Sequence, residues 1–168
     1  MDFIDLGNVR IGRAVYPPRY SQGRHAHRGT SVTLVAGGSL EETVGRVEEC
    51  AGPLSVVVKP EGTEHANRIG PRGANTLQVW FSPETTRELL EWDAPLASWQ
   101  WTHGSTQCRS LLRLMQVVGT SRTDGTEYVT EIVYEMVAEL GMCRWQAAGG
   151  QGGQGGPQVA EGGTRIHR

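Results

Sequence analysis

The sequence predicts a mainly β fold, in which an antiparallel β-barrel or sandwich over residues 1–82 is followed by a helical appendage. Residues 1–82 contain short β-branched and aromatic runs about 8–12 residues apart, with Gly and Pro turn signals between them. After residue 82 the apolar pattern changes to the period of a helix. With 168 residues, the chain is long enough to bury a core of this kind.

The predicted strands start with residues 9–16, which end at Pro17-Pro18. After the segment that carries His25 and His27, strands are predicted at 31–36, 40–44, 47–50, 55–59, 65–69 and 76–81. Gly45-Arg46 is typical of a tight hairpin. Residues 37–38 and 70–73 are predicted to be turns between separate strands.

Three helices are predicted in residues 83–145, which we interpret as a dimerisation segment. Ser82 and Pro83 indicate the start of a short helix ending near residue 92, and 99–101 form a linker whose two indoles should pack onto the domain. Apolar residues recur at helical spacing in 107–118 and 127–140. We expect this pair to pack together and to leave a dimer seam, formed by Leu111, Met115, Val129, Ile132, Val133, Met136 and Leu140. The Gly-rich residues 146–168 are predicted to be a disordered tail.

Composition excludes several classes of protein. The net charge is −2, with 16 basic residues scattered among 18 acidic ones, so no basic surface for nucleic acid is expected. The three cysteines are far apart, which predicts free thiols in a reducing compartment. Neither a signal peptide nor a membrane span is apparent, so we expect a cytoplasmic protein with no membrane partner.

Three histidines form the candidate site. His25 and His27 would point to the same side of a strand, because alternate side chains share a face. His65 follows the turn at 60–62 and would come from a neighbouring strand. Three neutral imidazoles suit one divalent transition metal ion such as zinc, iron, manganese or nickel. Alternatively, the cluster makes hydrogen bonds or lines an effector pocket without metal.

Two further residues are candidate ligand contacts. Trp80 shares a strand face with Thr76 and Gln78, and it is either the wall of a small-molecule pocket or a core aromatic. Asn67 either orients His65 and contacts a ligand, or satisfies its own backbone near the turn. Glu64 should point away from His65 into solvent.

The histidines stand in motifs that resemble those of the cupins. His25-Ala26-His27 with Gly38 is similar to the first cupin motif, and Pro60-Glu61-Gly62 with His65 and Asn67 is similar to the second. The resemblance implies a jelly-roll barrel over about residues 10–82. Ser31 stands where a metal-binding cupin commonly carries Glu.

A closer resemblance, carried by residues 16–18, 25–28, 33–42 and 60–68, is to the amino-terminal sensor domain of AraC-type transcription regulators. It implies a cupin sensor, a helical dimerisation pair and a linker, without the DNA-binding half. The partners implied are a small-molecule effector and either a second copy or a full-length regulator in a mixed dimer.

The first hypothesis is therefore a non-enzymatic ligand-sensing and dimerisation domain that does not itself bind nucleic acid. The alternative is a small metal-dependent cupin enzyme, of dioxygenase or isomerase type, that uses His25, His27 and His65. A third hypothesis is a purely structural cupin.

Overall fold

The computed structural model describes residues 3–92, 96–104, 108–120 and 125–149. The predicted fold class is confirmed: an antiparallel β unit is followed by helices. The elements in chain order are β1 (Phe3–Asp5), β2 (Val9–Tyr16), β3 (Ser21–His25), β4 (Ser31–Val44), β5 (Val47–Ala51), β6 (Ser55–Lys59), β7 (His65–Phe81), α1 (Pro83–Trp92), β8 (Gln100–Thr102), α2 (Arg109–Gly119) and α3 (Thr126–Gly149).

The sheet is organised by its two longest strands, β4 and β7, which pair with each other along most of their length. Residues 31–35 of β4 pair with residues 76–80 of β7. Around this part of the two strands, the order of strands in the sheet is β1-β2-β7-β4-β6-β8. The other ends of β4 and β7 pair with β5 and β3, respectively. The strands thus form two halves that share β4 and β7, and Lys59 on one half bonds to Glu42 on the other. The face between the halves is called the inner face below.

The prediction of turns at residues 37–38 and 70–73 is wrong. β4 and β7 continue through both places, and the register shifts at bulges beside Gly37 and Gly38. Gly38 has a φ of +76°, and a Cβ there would lie 2.0 Å from the carbonyl oxygen of Gly73. These glycines therefore allow the two bent strands to cross closely. The same glycine pattern in a sequence is compatible with a turn and with a bend in a continuous strand. The hairpin at Gly45-Arg46 is present, with Val44 opposite Val47.

The opposite face of the sheet is covered by helices. Its apolar side chains, among them Leu34, Leu77 and Val79, are fully buried and pack in one cluster with those of α2 and α3. A smaller apolar cluster of Val35, Leu40, Ala51, Ile69 and Ala74 fills part of the interior between the two halves. The helix-covered face and its helices therefore form the main hydrophobic core.

The structure places most of the predicted dimer-seam residues inside this core. Leu111, Val129, Ile132, Val133, Met136 and Leu140 are at most 5% exposed within a single chain, and Met115 packs against the same cluster. The reason is that the stripe of each helix faces the sheet and the other helix. The large exposed apolar side chains of α2 and α3 in the described part of the chain are Leu112, Tyr128 and Tyr134. Dimerisation itself stays a prediction.

Residues 83–145 contain more than helices. Residues 99–101 were predicted to be a linker, but 100 and 101 belong to β8, which pairs with β6 and extends the sheet. Ser82 starts α1 as predicted, and its Oγ accepts a hydrogen bond from the Thr85 backbone N–H. Of the predicted tail, residues 146–149 continue α3, and 150–168 lie outside the described residues. Within the described helices, none is both long and apolar enough to cross a membrane.

Candidate metal centre

The three histidines meet at the open end of the inner face. His25 is the last residue of β3, and it is paired directly with His65, the first residue of β7. His27 lies two residues beyond the end of β3, so strand alternation does not account for its position. The loop before β4 brings it back to the cluster instead. Its ring centroid lies 4.9 Å from that of His25 and 5.3 Å from that of His65.

The nitrogen atoms of the cluster are close enough to share one ion. One ring nitrogen from each histidine lies within 4.8 Å of the other two. The centroids of His25 and His65 are 4.3 Å apart. Three imidazole ligands on one side leave other coordination positions open for water or a small molecule.

Backbone carbonyls orient two of the rings. The Nδ1–H of His25 donates to the carbonyl oxygen of Gly23 at 2.7 Å, and that of His65 donates to Thr63 at 2.9 Å. In a neutral imidazole, a protonated Nδ1 leaves a lone pair on Nε2. The Nε2 of His65 is buried and has no hydrogen-bond partner in the described part of the chain. An unpaired buried acceptor of this kind fits a metal ion.

The electrostatic surroundings favour neutral imidazoles. Burial, assisted by the positive charge of Lys59, lowers the pKa of His65 to about 4. Burial also lowers the pKa of His27, with further contributions from His25 and Lys59. Both rings are therefore deprotonated at neutral pH, as metal ligands must be.

A buried ionic network adjoins the histidines. Glu42, which is fully buried, accepts a hydrogen bond from Lys59 Nζ at 2.9 Å through Oε1. Its Oε2 accepts hydrogen bonds from the indole N–H groups of Trp99 at 2.8 Å and Trp101 at 3.2 Å. The charges of Glu42 and Lys59 both act on the pKa values of His27 and His65. The inner face thus holds a buried carboxylate that acts on the imidazoles, although Glu42 is not part of the histidine cluster.

Sequence reasoning missed this network. Glu42 stands in an alternating strand segment that ends in a hairpin, where a charged residue is normally solvated. Lys59 is 17 positions away and immediately precedes a predicted turn. The available signal was the pair of tryptophans at 99 and 101, whose indole N–H groups need acceptors when they are buried. Ser31, buried on the same face, lies opposite Lys59 and Trp80 in the sheet.

The other candidate ligand contacts lie on different sides of the cluster. Trp80 lines a cavity of about 580 Å³ together with His27. Asn67 donates from Nδ2 to Gln22 at 3.2 Å, and its Oδ1 is buried without a partner among the described residues. Glu64 is 63% exposed and pairs with Arg24, as expected of a solvated carboxylate.

Neither a protein-family model nor a curated protein sequence matches the chain. Among solved structures, it is similar to a cupin superfamily protein from Desulfitobacterium hafniense (20% identity over 49% of this chain and 74% of that one, TM-score 0.45). A protein of unknown function from Rhizobium leguminosarum shares 28% identity over 48% of this chain and 79% of its own, with a TM-score of 0.43. A variant of Bacillus subtilis oxalate decarboxylase shares 18% identity over 46% of this chain, with a TM-score of 0.43. The match spans only 22% of that longer protein.

Proposed function

We propose that this protein is a metal-dependent small-molecule-binding module of cupin type, with one divalent transition metal ion held by His25, His27 and His65. The proposal rests on one observation: a ring nitrogen from each of the three histidines lies within 4.8 Å of the other two. The orientation of His25 and His65 by carbonyls and the unpaired Nε2 of His65 support it. Zinc, iron, manganese and nickel all accept imidazole ligands.

A bound ion would supply Lewis acidity and open positions for an oxygen- or nitrogen-containing ligand. The chain itself supplies the rest. The Gly23 and Thr63 carbonyls fix the orientations of two imidazoles, and the positive charge of Lys59 adds to burial in lowering the pKa of His65. His27, which is more exposed than His65, stands on the side from which a ligand arrives.

We infer that the module acts as a sensor in an AraC-like regulator. The sequence resemblance supports this role, and so does the direct packing of α2 and α3 on the reverse side of the strands that carry the inner face. Ligand binding on one side could thereby alter the helices on the other. A homodimer, or a mixed dimer with a full-length regulator in the cytoplasm, belongs to this proposal.

A metal-dependent enzyme is the second candidate. It is favoured by Glu42 and Lys59, two ionisable groups whose charges act on His27 and His65. Such groups could donate or accept a proton near a metal-bound substrate. Turnover of a bound small molecule that is lost in Lys59→Met, while its binding persists, would favour the enzyme over the sensor.

The test is the metal content of the full chain, purified without a tag and measured by elemental analysis. We expect about one equivalent of a transition metal, and loss of that metal in a His25→Ala/His65→Ala double variant. His103→Ala is the matched control, because His103 lies outside the cluster and contacts Ser55 and Glu49. A folded, metal-free protein that takes up none of the four metals on dialysis would contradict the proposal.

A further inference from the structure

A groove begins at His27 of the histidine cluster and is lined in part by Arg10 and Trp80, which are paired in neighbouring strands. It is formed by the first two strands, the loop after His27 and the junction between β7 and α1, and its volume is about 580 Å³. Cavities of this size hold small molecules larger than a few atoms. One of its walls is His27, a member of the histidine cluster. A molecule in the groove would therefore reach the proposed metal from one end.

The polar lining of the groove has an uncompensated positive charge. Arg10 is held by Asp5 at 2.9 Å, so these two charges balance. Arg28 also lines the groove, is exposed, and has no ion pair or hydrogen bond to the described residues. A guanidinium without an internal partner, at the rim of a cavity, is complementary to a carboxylate.

The apolar lining consists mainly of aromatic rings. Trp80 is half-buried on the wall nearest the barrel, and Phe81 and Pro83 follow it. Phe3 faces the groove from β1 and is 59% exposed, and the guanidinium of Arg10 lies over its ring, 5.7 Å from the centroid. Phe3 and Trp80 stand on β1 and β7, the two strands that flank β2, and aromatic rings on either side of a groove suit a flat apolar body.

We infer that this groove binds a small aromatic carboxylate, with its ring between Phe3 and Trp80 and its carboxylate on Arg28. The inference rests on the proposed function, because the inner end of the groove is His27. It adds to that function the chemical class of the ligand: a planar organic anion rather than a sugar, a cation or a simple mineral anion. Arg28 and Trp80 determine its specificity.

The experiment measures binding of naphthoate to the full chain by isothermal titration calorimetry, with the uncharged naphthamide as the paired probe. We expect naphthoate to bind and naphthamide to bind about tenfold more weakly, since it lacks the charge-assisted hydrogen bond. Arg28→Gln should weaken naphthoate binding about tenfold and should remove the preference over naphthamide. Trp80→Leu should weaken binding of both compounds.

Arg24→Gln is the matched control, because Arg24 is an exposed arginine in β3 whose partner is Glu64 outside the groove. It should bind naphthoate as the unaltered chain does. The inference is overturned if naphthoate fails to bind at millimolar concentration, if naphthamide binds equally well, or if Arg24→Gln has the same effect as Arg28→Gln. Each titration is repeated on chelator-treated protein and on His25→Ala/His65→Ala. If naphthoate binds to both of these samples and elemental analysis finds no metal in the untreated chain, the proposed function is contradicted and this inference stands. If the untreated chain contains metal but does not prefer naphthoate to naphthamide, this inference is contradicted and the proposed function stands.

Discussion

The two faces of the central strands are both buried, yet they differ in chemistry. Towards the helices the side chains are apolar throughout: Val32, Leu34, Val56, Val58, Leu77 and Val79. Towards the interior the neighbouring positions are largely polar: Ser31, Thr33, Ser55, Lys59, Thr76 and Gln78. Burial of polar groups costs free energy unless partners are found. The helix-covered face therefore stabilises the fold, whereas the inner face carries the polar groups that adjoin the histidine cluster.

Substitution of Glu42 should give the largest effect. Glu42→Leu leaves the ammonium group of Lys59 without its partner, on a side chain that is only 9% exposed. It also removes the acceptor of two indoles. We expect the free energy of unfolding at neutral pH to fall by about 3–5 kcal/mol, as measured by urea denaturation followed by circular dichroism.

The comparison variant is Glu42→Leu/Lys59→Met, which replaces both charges by apolar groups. It should recover most of the lost stability, because the cost arises from an unpaired buried charge. If the single variant unfolds at the same urea concentration as the unaltered chain, the buried pair does not govern the inner face.

Truncation of an apolar side chain on the helix-covered face should give the next largest loss of stability. Unlike a change on the inner face, it should leave the histidine cluster intact. Leu34 is fully buried among the side chains of the helical cluster. Leu34→Ala should lower the free energy of unfolding by about 3 kcal/mol through lost burial and a residual cavity, while metal content stays unchanged. Loss of metal in a folded Leu34→Ala protein would mean that the two faces are not independent.

The pH dependence of the metal-free protein should report on the inner face. The pKa of His65 is about 4 in the folded chain, compared with 6.5 as its ordinary value. The unfolded chain therefore binds this proton first as the pH falls, so the neutral ring contributes stability above pH 6.5 that is lost between about 6.5 and 4. We expect a loss of at most about 3–4 kcal/mol.

The measurement is urea denaturation of chelator-treated protein across this pH range. His65→Gln is the comparison, because it removes the titrating group and should flatten that part of the profile. An unaltered profile in His65→Gln would assign the pH dependence to other groups.

The smallest effect is expected at Thr33, which is 3% exposed on the inner face. Its hydroxyl makes no hydrogen bond to the residues that the structure describes. Thr33→Val keeps the shape of the side chain, so the free energy of unfolding should change by less than about 1 kcal/mol. A loss of several times that amount in thermal denaturation would show that the polar groups of this face stabilise the fold after all.

The helix-covered face was the more predictable of the two. Alternation and helical spacing follow from burial on one side, so the strand-to-helix order and the start of α1 at Ser82 were correctly predicted. The meeting of His25, His27 and His65 was predicted from motif and alternation together, although His27 arrives through a loop. Local pattern could not predict the bends at Gly38 and Gly73, because the same glycine signal serves a turn or a bulge.

On the inner face, only the histidines, which stand in recognisable sequence motifs, were predicted. Lys59 is paired with the start of β4, and β4 is bent between that part and Glu42, so no short-range pattern encodes the contact of Glu42 with Lys59. β8 was missed for a similar reason: three residues that pair with β6 provide too short a run for periodicity to detect.

The shared carboxylate of Glu42 gives this protein a built-in optical probe. Trp99 and Trp101 donate to the same oxygen, and Trp80 lines the groove. Indole emission responds to the charge and polarity around the ring, so a displaced Glu42 or an occupied groove would alter its wavelength or intensity. Events on the inner face could thus be followed in solution by fluorescence, in real time and without a label.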